Sequence, residues 1–219
     1  MNIIDKSINH IVLKIKDNTD LDGEKLEVIK YGVFAMVQIF LSIIAVIIFG
    51  FIFNVLLEAI IVSFTIAVLR KSSGGVHATT PEICLVVGTA VSVLLGKISI
   101  NTSEIIYLVD IAVYILTLIV VIFKSPMQSK NKPIGDKKKK RLKKKSILIT
   151  VIIISLSSLL LYFGYQKSKI NFIWYANAMS LGMLWQAFSL TKIGEKIMGF
   201  VDFFLNKYIF KGEIKNEKK

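Results

Sequence analysis

Long hydrophobic runs separated by short polar segments dominate this chain of 219 residues. From Tyr31 to Leu57 there is no ionisable side chain except Tyr31 itself, and the apolar pattern is interrupted near Gly50–Asn54. A helix rises about 1.5 Å per residue, and the hydrocarbon core of a bilayer is about 30 Å thick. The first run therefore predicts two helices joined by a tight turn, and the whole pattern predicts six spans. They are Tyr31–Phe53, Val55–Leu69, Ile83–Gly96, Ile105–Phe123, Ile147–Tyr165 and Ile170–Leu190.

Both ends of the chain have the pattern of apolar and charged residues that is typical of a helix lying along a membrane surface. Residues 1–30 repeat isoleucine and valine at helical spacing between charged residues, and residues 191–219 repeat isoleucine and phenylalanine similarly. The pattern predicts an all-α integral membrane protein, a six-transmembrane-helix bundle in residues 31–190 with amphipathic interfacial helices at both ends. We expect residues 1–219 to form a single polytopic membrane domain.

The positions of the lysines and arginines predict which side of the membrane each segment faces. Of the 28 Lys and Arg residues, 25 lie in the two terminal segments, at Arg70–Lys71, or between the fourth and fifth predicted spans. The other loops hold only Lys97, Lys167 and Lys169. Since basic residues accumulate on the cytoplasmic side, both termini and the Arg70–Glu82 loop are predicted to be cytoplasmic.

Composition argues against several other classes of protein. The mean hydropathy of +0.64 is too high for a soluble domain of this size. The net charge of +13 is explained by topology and anionic lipid, and without a basic patch interleaved with aromatic residues we expect no nucleic-acid partner. Cys84 is the only cysteine, which excludes an intrachain disulfide. With His10 and His77 far apart, neither a metal site nor a cofactor is expected.

The segment between the second and third predicted spans carries the candidate chemistry. Gly74-Gly75 permits backbone conformations that other residues resist, so the second span is predicted to end there. Thr80 is predicted to be the N-cap of the next helix and Pro81 its first residue. Cys84 then falls within or just beyond the first helical turn.

A thiol at this position is a candidate nucleophile. The unpaired amides at a helix N-terminus favour the thiolate, and a neighbouring imidazole would accept the thiol proton. His77 precedes the predicted cap by three residues, so its loop could fold back onto Cys84. The Glu82 carboxylate would oppose ionisation unless Arg70 or Lys71 pairs with it. The alternative interpretation is a small apolar cysteine at a helix start and a solvated histidine.

Two sets of residues match the pattern of a known family. The first set is Arg70, Ser73, Gly74, Gly75, His77, Ala78 and Cys84, with the seven-residue step from histidine to cysteine intact. The second, after the fourth predicted span, is Pro126, Asn131, Lys132, Pro133 and Ile134. In both sets the chain resembles the accessory gene regulator B (AgrB) family of bacterial membrane peptidases. It departs from many members at Ser125, where they have alanine.

This resemblance implies a cysteine endopeptidase of quorum sensing in the bacterial plasma membrane. Its partners would be membrane lipids and a small precursor peptide with an amphipathic leader, a cysteine-containing core and an acidic tail. Cys84 would hold the core as a thioester, with His77 as base and then acid. The thiol of the precursor would then close a thiolactone ring, or a serine in its place a lactone ring, and this ring is the autoinducing peptide.

The resemblance also implies supporting roles for residues around this dyad. Arg70 would orient the site or contact the acidic tail, and Gly74, Gly75, Asn131, Lys132 and Pro133 would support the site or the substrate. Relatives suggest a homo-oligomer. Small residues on the third predicted span would allow the close packing it needs: Gly88, Ala90, Ser92 and Gly96.

Two other functions are compatible with the sequence. A small transporter or permease would line a path with polar residues inside the spans, above all Asp110. The interpretation we favour for Asp110, Gln38, Asn177 and Gln186 alike is a hydrogen bond between helices or a position that faces water. A membrane scaffold or sensor would recruit partners through its amphipathic ends, and variants of its cysteine and histidine would then behave as wild type.

Overall fold

The computed structural model describes residues 23–76, 78–101, 106–127 and 135–210. Within these ranges the chain forms seven α-helices and a π-helical turn at Asn206–Phe210, and it contains no β-strand. The helices are α1 (Gly23–Ile52), α2 (Leu56–Ser73), α3 (Pro81–Asn101), α4 (Ile106–Lys124), α5 (Asp136–Gln166), α6 (Ile170–Ser189) and α7 (Lys192–Leu205). The described residues divide into two compact units between Ile44 and Ala45. Most of the predicted N-terminal interfacial helix lies outside the described residues.

The predicted break in the first apolar run is confirmed between α1 and α2. Asn54 adopts a φ of 55°, in the left-handed region that asparagine tolerates better than most residues. The Val55 N–H donates a hydrogen bond to the Gly50 carbonyl at 2.8 Å. A Cβ added at Gly50 would lie only 3.1 Å from the Leu56 Cα, so the last turn of α1 packs directly on the start of α2.

Two helices begin earlier than their apolar runs. Helix α1 begins at Gly23 rather than Tyr31, and α5 begins at Asp136 rather than Ile147. Lysine and arginine have favourable helix propensities. A helix can therefore extend beyond its hydrophobic run through basic residues that lie in water. The basic stretch at residues 137–145, which was expected to be a loop, is therefore the exposed first part of α5.

Helix α6 is the central element of the second unit and contacts α2, α3, α4, α5 and α7. Its small residues allow this close packing. Ala176 and Ala178 are buried, and a Cβ at Gly182 would lie 3.1 Å from the Thr65 side chain of α2. The C-terminal turn of this central helix reaches the end of α2.

The outward-facing side chains of the helices are strongly apolar, while polar groups lie inside. On α4, Leu108 and Phe123 are 75% and 77% exposed, whereas Asp110 and Thr117 are buried. Extensive exposed apolar surface is unusual for a soluble monomer and suits lipid. In the described part of the chain, three helices are long and apolar enough to cross a bilayer: Lys25–Ile52, Pro81–Asn101 and Asp136–Gln166.

Small residues of α3 pack within the chain. A Cβ at Gly96 would lie 3.0 Å from the Ala59 nitrogen of α2, and Ser92 is also buried. Gly88 and Ala90 are exposed. Of the four residues expected to allow an oligomer, Gly96 is therefore already used by the contact between α2 and α3, and Ser92 is buried within the chain.

The hydrogen bonds predicted between helices are present for Asn177 and Gln186. Asn177 Nδ2 of α6 donates to the Ser99 carbonyl of α3 at 3.3 Å. Gln186, which is fully buried near the end of α6, donates to Ser73 Oγ of α2 at 2.9 Å. Both amides sit on the central helix, where water cannot satisfy them, so pairing with a neighbouring helix is the stable solution.

A second group of buried polar residues lies between α4, α5 and α6, and we call it the Asp110 cluster: Asp110, Tyr114, Ser157 and Ser180. The Tyr114 hydroxyl and Ser157 Oγ are 2.7 Å apart. Asp110 is only 3% exposed and lies beside Ser180, and its Oδ2 has no hydrogen-bond partner among the described residues.

Candidate active site

The glycine pair ends α2 as predicted, and both glycines adopt backbone conformations that favour glycine. Gly74 and Gly75 have φ angles of 72° and 140°. Both also lie against their surroundings: a Cβ at Gly74 would be 2.6 Å from the Met127 carbonyl oxygen, and one at Gly75 would be 2.8 Å from Ser189 Oγ. A side chain at either position would therefore be strained both by its backbone angle and by lack of space.

The loop that follows, residues 74–80, is fixed by the ends of two other helices. Gln186 Nε2 donates to the Gly74 carbonyl at 2.7 Å, and the Val76 N–H donates to the Ser189 carbonyl at 3.3 Å. The Met127 N–H, after α4, donates to the Ser73 carbonyl at 2.9 Å. The residues that hold the start of the loop are thus far from it in sequence, on α6 and after α4.

The start of α3 has the predicted cap. The Ile83 N–H donates to Thr80 Oγ1 at 3.4 Å, and the Cys84 N–H donates to the Thr80 carbonyl at 3.1 Å. Pro81 is the first residue of the helix. Cys84 is the fourth residue and is half-buried, so its thiol lies at the N-terminal turn and retains access to the surroundings.

Arg70, near the end of α2, binds the backbone of the loop that follows this helix. Its Nη2 donates to the Val76 carbonyl, and its Nε is buried with no hydrogen-bond partner among the described residues. Burial lowers the pKa of the Arg70 guanidinium from its ordinary value, and Coulombic attraction to an ionised Cys84 opposes that shift. The Arg70 guanidinium and Cys84 therefore lie within electrostatic range of each other.

The structure brings together only some of the residues expected at the site. Arg70, Gly74, Gly75 and Cys84 lie around one loop. His77 lies outside the described residues, although its neighbours Val76 and Ala78 are described, and the second matching segment, residues 131–133, also lies outside them. The proximity of His77 to Cys84 thus remains a prediction from the sequence.

Sequence reasoning missed the part of the site that comes from the C-terminal helix. The Thr79 N–H donates to Asp202 Oδ1 at 3.0 Å, and Asn206 Nδ2 donates to Thr79 Oγ1 at 3.0 Å. The available signal was a lone carboxylate in the apolar sequence Phe200-Val-Asp-Phe-Phe204. A charged side chain placed among apolar residues usually has a buried partner.

The geometry restricts how a reacting carbonyl would be stabilised. The amides of Ile83 and Cys84 are already paired with Thr80, so neither is a free donor for an oxyanion. The Nε–H of Arg70 is a donor without a partner in the described structure. A half-buried thiol beside a cationic donor suits nucleophilic acyl transfer.

Comparisons with known proteins agree on one family. The family model of accessory gene regulator B (AgrB) matches residues 8–190. A protein named AgrB-like from Clostridium perfringens strain SM101 is 37% identical over 205 residues, which cover 90% of this chain and 95% of the relative. A second AgrB-like protein, from Clostridium perfringens strain 13, is 35% identical over 211 residues, covering 91% and 96%. No solved structure matches the chain.

Proposed function

Since the chain belongs to the accessory gene regulator B (AgrB) family, we propose that it is a membrane cysteine endopeptidase of a small precursor peptide. It removes the acidic C-terminal tail of the precursor and closes the remaining core into a thiolactone. The observation that carries this proposal is the position of Cys84, half-buried at the start of α3 with Arg70 close to it.

In the proposed topology α1 to α6 each cross the plasma membrane, and both termini are cytoplasmic. Three of these helices meet the length and hydropathy expected of a span. The central position of α6, buried among its neighbours, supports counting it as a fourth. The charge asymmetry of the loops supports a cytoplasmic position for the loop between α2 and α3, and with it for Cys84.

In the first proposed step, the Cys84 thiolate attacks the carbonyl carbon of the last core residue. His77 accepts the thiol proton and then delivers it to the nitrogen of the tail, so that the C–N bond breaks and the tail leaves as a free amine. The core is then held on Cys84 as a thioester.

In the second step, the core's own thiol attacks the thioester carbonyl after His77 accepts its proton. A thiolactone forms, the bond to Cys84 breaks, and the proton returns to the enzyme thiol. Exchange between two thioesters is close to balanced in energy, so the ring closes without ATP when the tail departs.

Arg70 has two proposed roles in these steps. Its charge stabilises the Cys84 thiolate, and its Nε–H stabilises the oxyanion of the tetrahedral intermediate, because the nearby helix amides are already paired. The bond from Nη2 to the Val76 carbonyl fixes the residue immediately before His77. Replacement by lysine would lose the two-point geometry.

The substrate reaches this site along the membrane surface in our proposal. An amphipathic leader would partition into the same interface as the terminal helices of the enzyme. The exposed basic start of α5 would attract the acidic tail, and salt would weaken that attraction. Residues Asn131, Lys132 and Pro133, which precede this basic segment, would contact the substrate.

A homo-oligomer is also proposed, with Gly88 and Ala90 as the exposed small residues of α3.

The test is tail release by the full chain in vesicles, with a precursor peptide of the proposed composition. Cys84→Ala and His77→Ala should each abolish release while the protein still inserts. Wild type should accumulate an adduct between Cys84 and the core that hydroxylamine cleaves. Full activity of Cys84→Ala would overturn the proposal.

A further inference from the structure

Helix α7 and the turn after it hold the last part of the candidate catalytic loop. Asp202 accepts a hydrogen bond from the Thr79 N–H, and Asn206 donates to Thr79 Oγ1, each at 3.0 Å. Thr79 lies two residues after His77 and immediately before the cap residue Thr80. The chain segment that carries the proposed base is thereby fastened to a helix more than 120 residues further along.

Asp202 lies on the buried side of α7, whose exposed side carries large apolar residues. Gly194, Met198 and Asp202 are the buried residues of α7. Large apolar side chains on the other side of the helix are exposed: Ile193 is 65% and Phe200 70% exposed. A carboxylate 7% exposed on this helix loses its hydration on folding, and the bond to a backbone N–H compensates for that loss.

This helix also lies outside the part of the chain that the AgrB family model matches. The match to AgrB ends at residue 190, at the C-terminus of α6, whereas α7 begins at Lys192. Helix α7 is fixed at its start because Thr191 Oγ1 accepts from the Gly194 N–H at 3.0 Å. Its position relative to the loop is therefore set by a short connection at one end and by Asp202 and Asn206 at the other.

We propose that Asp202 is a positioning residue of the proposed peptidase, with Asn206 as its weaker companion. By fixing the Thr79 backbone, Asp202 holds in place the cap of α3 at Thr80, and with it the start of the helix that carries Cys84. The inference rests on the proposed function and adds α7 to the machinery. Both residues bind Thr79, which has no role in the proposed chemical steps, so we expect substrate binding to be left intact when they are replaced.

Asp202 and Asn206 supply the hydrogen bonds that the described structure shows at this point of the loop. The Val76 N–H is held by Ser189, and the Gly74 carbonyl is held by Gln186, but both lie before His77. After His77, the Asp202 bond is the first restraint on the chain before Thr80. Loss of this bond frees the backbone between His77 and the cap, and misplacement of a catalytic group by about 1 Å costs on the order of 100-fold in rate.

The first experiment measures kcat and KM for tail release by the full chain in vesicles. Asp202→Ala should lower kcat on the order of 10-fold to 100-fold, as expected for a lost bond to a charged acceptor, with KM within about twofold. Asp202→Asn keeps an acceptor oxygen and should recover most of the rate. Glu195→Gln is the matched control, because Glu195 is an exposed carboxylate on the same helix, and it should behave as wild type.

Asn206→Ala should lower kcat by only a few-fold, because its bond to the exposed Thr79 side chain competes with water. In a Thr79→Val background, Asn206→Ala should cause no further loss. Wild-type kcat in Asp202→Ala would overturn the proposal. So would an equal loss in Asp202→Ala and Asp202→Asn, since the acceptor oxygen would then not be the cause.

A second measurement separates this inference from the proposed function. Cys84 is the only cysteine, so the rate of alkylation by a soluble maleimide reports on this thiol alone. Asp202→Ala should change that rate by about threefold or more, and Glu195→Gln should not. If wild type cleaves no precursor but the alkylation rates differ as expected, the peptidase proposal fails and the positioning role stands. If wild type cleaves and neither kcat nor alkylation responds to Asp202→Ala, the positioning role fails alone.

Discussion

The loop at residues 74–80 and the Asp110 cluster are two polar regions of the same apolar bundle, and they are built differently. In the loop, polar side chains from distant helices bind the backbone: Gln186 to Gly74 and Asp202 to Thr79. In the cluster, side chains bind each other across packed helices, as Tyr114 does with Ser157. The loop leads to a half-buried thiol, whereas the cluster is enclosed.

This difference separates two uses of polar residues in a membrane protein. Side chains that bind the backbone of a loop at the end of a helix bundle fix the loop in one conformation. A catalytic site needs such a fixed arrangement. Side chains paired between helices stabilise packing and can also line a path. The loop thus favours the peptidase and the cluster would favour the transporter, so variants at the two regions test one function against the other.

The largest effect on tail release is expected when a substitution at Cys84 is compared with one in the Asp110 cluster. Cys84→Ser should lower tail release by on the order of 1000-fold, because a hydroxyl is far less readily ionised than a thiol. Asp110→Asn, which keeps the shape of the side chain, should leave release unchanged. Both rates are measured in vesicles at equal protein. Retained release in Cys84→Ser together with loss in Asp110→Asn would reverse the assignment of the two regions.

The next effect is expected at Gly75. Gly75→Ala combines a φ of 140° with a Cβ that would lie 2.8 Å from Ser189 Oγ, so the loop must move. We expect release to fall on the order of 100-fold, since strain at such a position costs about 1–3 kcal/mol before the clash is counted. Gly32→Ala is the matched control, because a Cβ there would meet nothing within 4 Å, and it should release the tail at the wild-type rate.

A moderate effect is expected at Gln186. Gln186→Met keeps the volume but removes the donor to Ser73 Oγ and to the Gly74 carbonyl. Two buried acceptors lose their partner, so we expect about a tenfold decrease in release and a lower unfolding temperature. Gln166→Met, at an exposed glutamine of α5, should change neither quantity. Unchanged release in Gln186→Met would mean that Gln186 does not fix the loop.

The smallest effect on activity is expected inside the cluster. Tyr114→Phe removes the hydroxyl 2.7 Å from Ser157 Oγ, and we expect the free energy of unfolding to fall by about 1 kcal/mol with release unchanged. Tyr162→Phe, at an exposed tyrosine of α5, serves as the control for stability. A loss of release in Tyr114→Phe without loss of stability would show that the cluster takes part in the reaction.

Local features of this chain were predictable because local chemistry decides them. The end of α2 at Gly74, the cap at Thr80 and the break before Leu56 follow from the backbone preferences of glycine, threonine and asparagine, and all three are confirmed. The early starts of α1 and α5 were missed because hydropathy identifies the residues that lie in lipid and not the ends of a helix. A helix continues into water where its residues have favourable helix propensities.

The sequence by itself determined the helical elements, the thiol at a helix start and the match to a family, because periodicity, glycine and capping act within a few residues. Only the tertiary structure decided that Gln186 and Asp202, over 100 residues away from the loop, hold its backbone. Helix packing brings such partners together, and no spacing along the chain encodes which buried amide or carboxylate meets which backbone group.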